Sequence, residues 1–187
     1  GEADYLQAIA HGGKGAHLRY AQALLRLRAG DRAGYRTACI NMLAALGQMP
    51  GAADAHLAAQ TCVLAPEAGV DAARVVALAE QAVASNPKDC AFHNTLGAAL
   101  YRAGRFAEAV RRLDDAIQEQ GKGGVVADWF LLAMAHQRLS HGADARQWFD
   151  RAMRFLNTTS TPVPWSAFLE RLLLGTEANA LCQEAKP

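Results

Sequence analysis

This 187-residue sequence has a low aromatic content of 7%, a charged content of 20% and only six prolines. It has no run of about 18 apolar residues, which predicts no membrane-spanning helix, and it shows no signal-peptide pattern. Basic and acidic residues nearly balance, 19 against 18, so the charge favours neither nucleic acid nor an anionic membrane as a partner. The four cysteines lack metal-site spacing and are expected to be core thiols, which favours a reducing, cytoplasmic location.

Motifs of catalysis and of cofactor binding are also missing. The chain has no GxGxxG after a strand, no phosphate-binding loop GxxxxGK[ST], no HExxH and no GxSxG. His136 and His141 lie in one region, but their spacing of five residues predicts different faces, so no metal site is expected there. We therefore expect no enzymatic activity, no cofactor and no metal.

Alanine is abundant, and hydrophobic residues make up 51% of the chain. Alanine favours helices because it loses no side-chain entropy there, and the apolar fraction is typical of a globular protein. The composition therefore predicts an all-α fold.

The segment CAFHNTLGAALYRAGRFAEAVRRLDDAIQEQG, residues 90–121, contains two helical periodicities separated by Gly104. Its apolar positions recur 36 residues downstream: Leu96 with Leu132, Ala109 with Ala145, Leu113 with Phe149 and Ala116 with Ala152. Weaker copies lie upstream, with Ala82 and Pro87 in one and Ala23 and Gly30 in another. Small residues let paired helices approach, and large ones fill the gaps between pairs, so stacking builds one core.

These residues resemble the tetratricopeptide repeat (TPR), a helix–turn–helix unit of about 34 residues. The matching residues are Leu96, Gly97, Gly104, Phe106, Ala109, Leu113 and Ala116, then Trp129, Leu132, Ala133, Ala145, Phe149 and Ala152. Two segments, AGRFAEAVRRLDDAI and LAMAHQRLSHGADARQWFDRA, are similar in sequence to TPR-type segments of large multidomain proteins. Those proteins come from planctomycete-like bacteria, and the segments often lie beside kinase or WD40 regions. The resemblance implies a right-handed α-solenoid of about four TPR-like pairs in one domain, residues 1–187.

The domain is expected to begin with the second helix of a truncated repeat and to end with a capping helix. The expected segments are 1–15 for the half repeat, 16–49, 56–89, 90–123 and 126–159 for the repeats, and 164–187 for the cap. Asp71 is the expected N-cap of the second helix of repeat 56–89, which should stop at Asn86-Pro87. In the cap, Trp165, Phe168, Leu169, Leu172 and Leu173 form an apolar stripe, and a break at Gly175 is possible.

In TPR domains the concave face is lined by the first helix of each pair and usually holds an extended peptide or a partner helix. Helical spacing places these candidate binding residues there: Tyr20, Leu24, Arg28, Gln60, Leu64, Asn94, Thr95, Ala98, Tyr101, Arg102, Phe130, Met134, Gln137 and Arg138. Aromatic, arginine and amide side chains suit peptide recognition. The alternative is that some of them, Leu24 and Phe130 above all, only pack against the neighbouring pair.

The resemblance predicts a non-catalytic protein–protein interaction module that binds a protein or peptide, as part of a larger bacterial protein. A clamp for acidic chaperone tails is not expected, because Tyr20, Ala21 and Leu24 stand where lysine and asparagine are needed. Arg102 and Arg138, one repeat apart, could form a looser anion-binding pair. Two alternatives stay open: a structural spacer or self-association domain, and a sensor or enzyme that holds a small ligand in the groove.

Overall fold

The computed structural model describes residue 7 and residues 15–47, 50–121, 123–158 and 162–184. This part of the chain is helical and has no strand, which confirms the all-α prediction. Its helices are α1 (Ala16–Arg28), α2 (Arg32–Ala44), α3 (Ala52–Val63), α4 (Ala72–Ser85), α5 (Cys90–Arg102), α6 (Phe106–Gln120), α7 (Val126–Arg138), α8 (Gly142–Thr158) and α9 (Trp165–Glu184). Apart from Gln7, the predicted half repeat at 1–15 lies outside the described residues or at their edge.

The first eight helices pack as four consecutive pairs, α1–α2, α3–α4, α5–α6 and α7–α8. The first helices of successive pairs contact one another, and each second helix contacts the first helix of the next pair. Within the third pair, a Cβ on Gly97 would lie only 2.6 Å from Leu113 Cγ. Leu113 is fully buried, so a small residue at position 97 is what allows α5 and α6 to approach, as the sequence predicts.

Aspartate side chains cap the N-termini of three of these helices. Asp31 accepts a hydrogen bond from the Gly34 N–H at 2.7 Å, Asp71 from Ala73 at 3.0 Å and Asp89 from Ala91 at 2.9 Å. Each carboxylate satisfies a backbone donor that the first turn of a helix leaves unpaired. The predicted cap at Asp71 is confirmed, and α4 ends at Ser85, directly before Asn86-Pro87.

The turns inside the first, third and fourth pairs share one backbone geometry. A residue with positive φ follows each first helix: Gly30 at 73°, Gly104 at 75° and Ser140 at 61°. The next N–H then reaches back to a carbonyl five residues earlier, from Asp31 to Arg26, Arg105 to Leu100 and His141 to His136, each at 2.9 Å. This bond defines a Schellman motif, which brings the two residues it joins side by side.

The Schellman motif corrects the expectation that His136 and His141 point to different faces. Their rings lie 5.6 Å apart between centroids, with the two Nδ1 atoms 3.4 Å apart. The expectation treated five residues as an uninterrupted helical spacing. Positive φ at Ser140 reverses the chain instead and returns His141 to the side of His136.

Candidate functional site

Helix α9 lies across the four first helices and does not simply cap the last pair. It packs mainly against α7 and also reaches α1, at the other end of the array. We call the surface of α1, α3, α5 and α7 that contacts α9 the inner face. Leu169, Leu174 and Ala178 are the buried side chains of α9, and the helix runs unbroken through Gly175. The capping role expected for 164–187 is therefore replaced by coverage of the inner face.

Gly175 is the point of closest approach between α9 and the inner face. A Cβ there would lie 3.1 Å from the ring of Phe130, which is 1% exposed. Real Cβ contacts are seldom so short, so glycine at this position lets α9 settle on the aromatic ring.

Glu170 fixes the first half of α9. Its Oε1 accepts hydrogen bonds from Tyr20 Oη at 2.6 Å and from Gln60 Nε2 at 2.9 Å. Burial raises the pKa of Glu170 above its ordinary value, and the two hydrogen bonds offset part of that rise. Neutral donors from α1 and α3 therefore hold one carboxyl group of α9.

Glu177 fixes the second half of α9 through an ion pair. The Arg102 guanidinium donates to both of its carboxylate oxygens, with Nη2 at 2.7 Å from Oε2. Arg102 Nε also donates to the Val63 carbonyl at 3.0 Å, which holds the guanidinium in place. The side chains are 11% and 24% exposed, so little water screens the pair.

Three of the predicted binding residues, Tyr20, Gln60 and Arg102, thus contact a segment of the same chain. Arg138 lines a cavity of 330 Å³ together with Arg102 and Glu177. The anion beside this predicted arginine pair is therefore Glu177, which Arg102 binds directly.

Seven other predicted binding residues are buried, as the alternative of packing against the neighbouring pair allows. Four of them are Leu24 at 0% exposure, Tyr101 at 5%, Phe130 at 1% and Met134 at 0%. First helices have neighbours on several sides, so a single helical stripe does not separate their core residues from their surface residues. Among the remaining candidates, Arg28 and Arg138 are exposed and Asn94 and Gln137 are half-buried, whereas Leu64, Thr95 and Ala98 are buried.

A cavity of 160 Å³, lined mainly by apolar groups, lies beside Glu170, between α9 and the inner face. Three atoms on its lining residues, His56 Nδ1, Asn94 Oδ1 and Asp128 Oδ1, have no hydrogen-bond partner among the described residues. Asp128 is fully buried, and burial raises its pKa to about 7, although its other oxygen accepts the Val125 N–H. The cavity is large enough to hold ordered water.

Glu170, Glu177 and Asp128 were not among the predicted site residues. The two glutamates are seven residues apart, which places both on one face of a helix, two turns from each other. That spacing was the available signal, but it does not reveal which surface the face meets. Asp128 could have been noticed as one acid within the apolar run ADWFLL.

An apolar cleft of 640 Å³ opens on the other side of α9, between α9 and α8. Phe168 and Leu172 on α9 are 57% and 53% exposed, and Met153 and Leu156 on α8 are 37% and 39% exposed. The predicted apolar stripe is therefore split between core and solvent, since Leu169 is buried while Phe168 and Leu172 face solvent.

Within the described residues, no helix combines the length and hydropathy that crossing a bilayer requires. No protein-family model matches the sequence, and no curated protein matches it at significance.

Proposed function

We propose that this chain is a non-catalytic protein–protein interaction module, a right-handed TPR-like solenoid whose inner face binds a helical segment. The four consecutive pairs and the Schellman turn shared by three of them support the repeat architecture. In the proposal, α9 occupies the inner face until a partner helix replaces it. The four free thiols support a reducing, cytoplasmic setting. We also propose, from the resemblance alone, that the chain is part of a larger bacterial protein.

The observation that carries the proposal is the attachment of α9 through two carboxyl groups, Glu170 and Glu177. Seven residues of helix span about 10 Å, which matches the usual distance between packed neighbouring helices. Donors on α1 and α3 therefore bind the first acid of α9, and a donor on the next first helix, α5, binds the second. This is a recognition pattern for an amphipathic helix with two acidic residues seven positions apart.

Covalent attachment favours α9 over any partner. Residues 159–164 join it to α8, and so short a connection gives an effective concentration on the order of millimolar. A partner helix must therefore bind more tightly than α9, or α9 must first be loosened.

The test is to weaken α9 and leave the inner face intact. In the full chain, Glu177→Ala removes the acid that Arg102 binds, and a labelled peptide of residues 163–184 is then added. We expect the peptide to bind the variant at least about tenfold more tightly than the unaltered chain, because a larger fraction of inner faces is open. Fluorescence anisotropy measures both affinities.

Glu80→Ala is the matched control, since Glu80 is an exposed acid on α4 and should leave peptide binding unchanged. A peptide that itself carries Glu177→Ala should bind weakly to every chain. Equal affinity of the unaltered peptide for the Glu177→Ala and unaltered chains would instead mean that α9 is a permanent part of the fold.

Self-association is the second candidate function, and the exposed cleft between α8 and α9 favours it. Apolar surface gathered in one cleft is typical of contact with another protein, in this case a second copy of the chain. Light scattering should then show a dimer that Phe168→Ser with Leu172→Ser converts to a monomer. A monomer before substitution would exclude this candidate without affecting the first.

A further inference from the structure

The turn between α7 and α8 gathers three side chains that can bind a metal ion. His136 Nδ1 lies 3.4 Å from His141 Nδ1 and 3.9 Å from Asp144 Oδ2. Each residue contributes one possible ligand atom, and these three atoms all lie within 4.8 Å of one another. His141 and Asp144 are exposed, so an ion can reach the cluster from solvent.

The Schellman motif explains why these three residues meet. The bond from His141 N–H to the His136 carbonyl sets the two rings side by side. Asp144 lies three residues after His141, in the first turn of α8, and faces back over the same turn. The backbone therefore fixes the arrangement before any ion arrives.

The equivalent turns show what this geometry usually holds. In the first pair the corresponding positions are Arg26 and Asp31, which form an ion pair at 2.8 Å. In the third pair the corresponding positions are Leu100, Arg105 and Glu108, and Arg105 binds Glu108 at 2.7 Å. Of these three turns, only the one between α7 and α8 has a residue that can bind a metal ion at all three positions.

The distance between the two imidazole nitrogens matches a known coordination geometry. Zinc binds imidazole nitrogen at about 2.0–2.1 Å and carboxylate oxygen at about 2.0–2.2 Å, in a tetrahedral arrangement. Two ligands at those bond lengths are separated by roughly 3.4 Å along a tetrahedral edge, which is the observed separation of the two Nδ1 atoms. Asp144 Oδ2 is farther away, 3.9 Å from His136 Nδ1, so the exposed Asp144 side chain must move inward to bind the same ion.

We propose that His136, His141 and Asp144 form a binding site for a divalent transition metal ion of the zinc class. Two neutral imidazoles and one carboxylate supply three ligands, and water from the exposed side supplies the fourth. Because the ligands come from the end of α7, the turn and the start of α8, the ion joins the two helices of the fourth pair. This site is separate from the inner face and does not depend on the function proposed for it.

The experiment is calorimetric titration of the full chain with Zn²⁺ near neutral pH, in a buffer that does not chelate. We expect one saturable site, weakened at least about tenfold by His141→Ala and several-fold by Asp144→Asn. His17→Ala is the matched control, because His17 is an exposed histidine on α1, and it should leave the affinity unchanged. Substituting Co²⁺ should give the visible absorption of a tetrahedral site.

Circular dichroism of each variant checks that the helices persist, and both substitutions replace exposed side chains. Two results would overturn the proposal. One is the lack of saturable binding by the unaltered chain, which would leave the close histidine pair as a simple hydrogen bond. The other is unchanged affinity in both His141→Ala and Asp144→Asn, which would assign the ion to other residues, such as the cysteines.

Discussion

The two halves of α9 are held on the same surface by different chemistry. Near Glu170 the contacts come from a tyrosine hydroxyl and an amide, and burial raises the pKa of the carboxyl group. Near Glu177 a guanidinium binds both carboxylate oxygens and is itself held by the Val63 carbonyl. One half therefore holds a carboxyl group whose ionisation is disfavoured, and the other requires a carboxylate.

The difference shows that two acids on one helix face need not contribute equally. A bidentate arginine pair with little exposure leaves a costly unpaired charge when one partner is lost. A carboxyl group among neutral donors can be replaced by an amide of the same shape at little cost. We therefore expect the Glu177 end to dominate stability and the Glu170 end to dominate the pH response.

Arg102→Met should have the largest effect. It leaves Glu177 without its partner and the Val63 carbonyl without a donor, and we expect the unfolding free energy to fall by about 3 kcal/mol. Urea denaturation followed by circular dichroism measures this. Arg105→Met is the matched control, because Arg105 and Glu108 form an exposed pair that water and salt screen, so its loss should have little effect on stability. Equal losses in the two variants would contradict the importance of the Glu177 end.

Gly175→Leu should affect both halves, because Gly175 lies between the two acids. A Cβ at position 175 lies too close to the Phe130 ring, so the ring or α9 must shift, and we expect a loss of about 2 kcal/mol. The loss should occur even though leucine favours a helix more than glycine does. Thr176→Leu changes the exposed neighbour and should alter stability by less than about 0.5 kcal/mol. A stable Gly175→Leu variant would show that the approach at Phe130 is not needed.

Tyr20→Phe tests the Glu170 end alone and should cost about 1 kcal/mol, the usual contribution of one hydrogen bond. A double-mutant cycle with Glu170→Gln separates this bond from any other change at Tyr20. If the two substitutions have strictly additive effects on the unfolding free energy, the hydroxyl and the carboxyl group are not coupled.

Glu170→Gln should have the smallest effect at neutral pH, below about 0.5 kcal/mol and of stabilising sign. A carboxyl group whose pKa is raised by folding contributes stability that is fully present below its unfolded pKa of about 4.5 and is lost as pH rises through the folded value. Ionisation of Glu170 should therefore lower the unfolding free energy as pH rises above about 4.5, and Glu170→Gln should remove this contribution to the pH profile.

Asp128 adds a slope of the same sign, which extends from its ordinary pKa of 3.8 up to about 7. Asp128→Asn measured over the same pH series distinguishes the two contributions. An unchanged pH profile in Glu170→Gln would assign the whole slope to Asp128 or to another group.

Local pattern was enough to predict the pairing of the first eight helices. The small residue at Gly97, the cap at Asp71 and the turns at Gly30 and Gly104 depend on neighbours in sequence, so helical spacing and turn chemistry indicate them. Arg102, which the same register assigned to the binding surface, contacts Glu177 of α9 in the same chain.

The position of α9 could not be predicted in the same way, because it depends on contacts between distant segments. An apolar stripe predicts that a helix has a side to bury, but it does not identify the surface that receives it. Phe168 and Leu172 illustrate the problem: they belong to the predicted stripe and remain exposed, while Leu169 beside them is buried. Likewise, seven of the predicted binding residues are buried because first helices pack against neighbours on several sides.

The contact between Tyr20 and Glu170 has a consequence for how the chain folds. It joins residues 150 positions apart, whereas the pairs are built from neighbours in sequence. Closing so long a loop costs more entropy than forming a helical hairpin, so the pairs should form quickly and α9 should dock in a late, slower step. During synthesis the inner face is then bare until residue 184 has left the ribosome, and the first and last helices become one cooperative unit only at that moment.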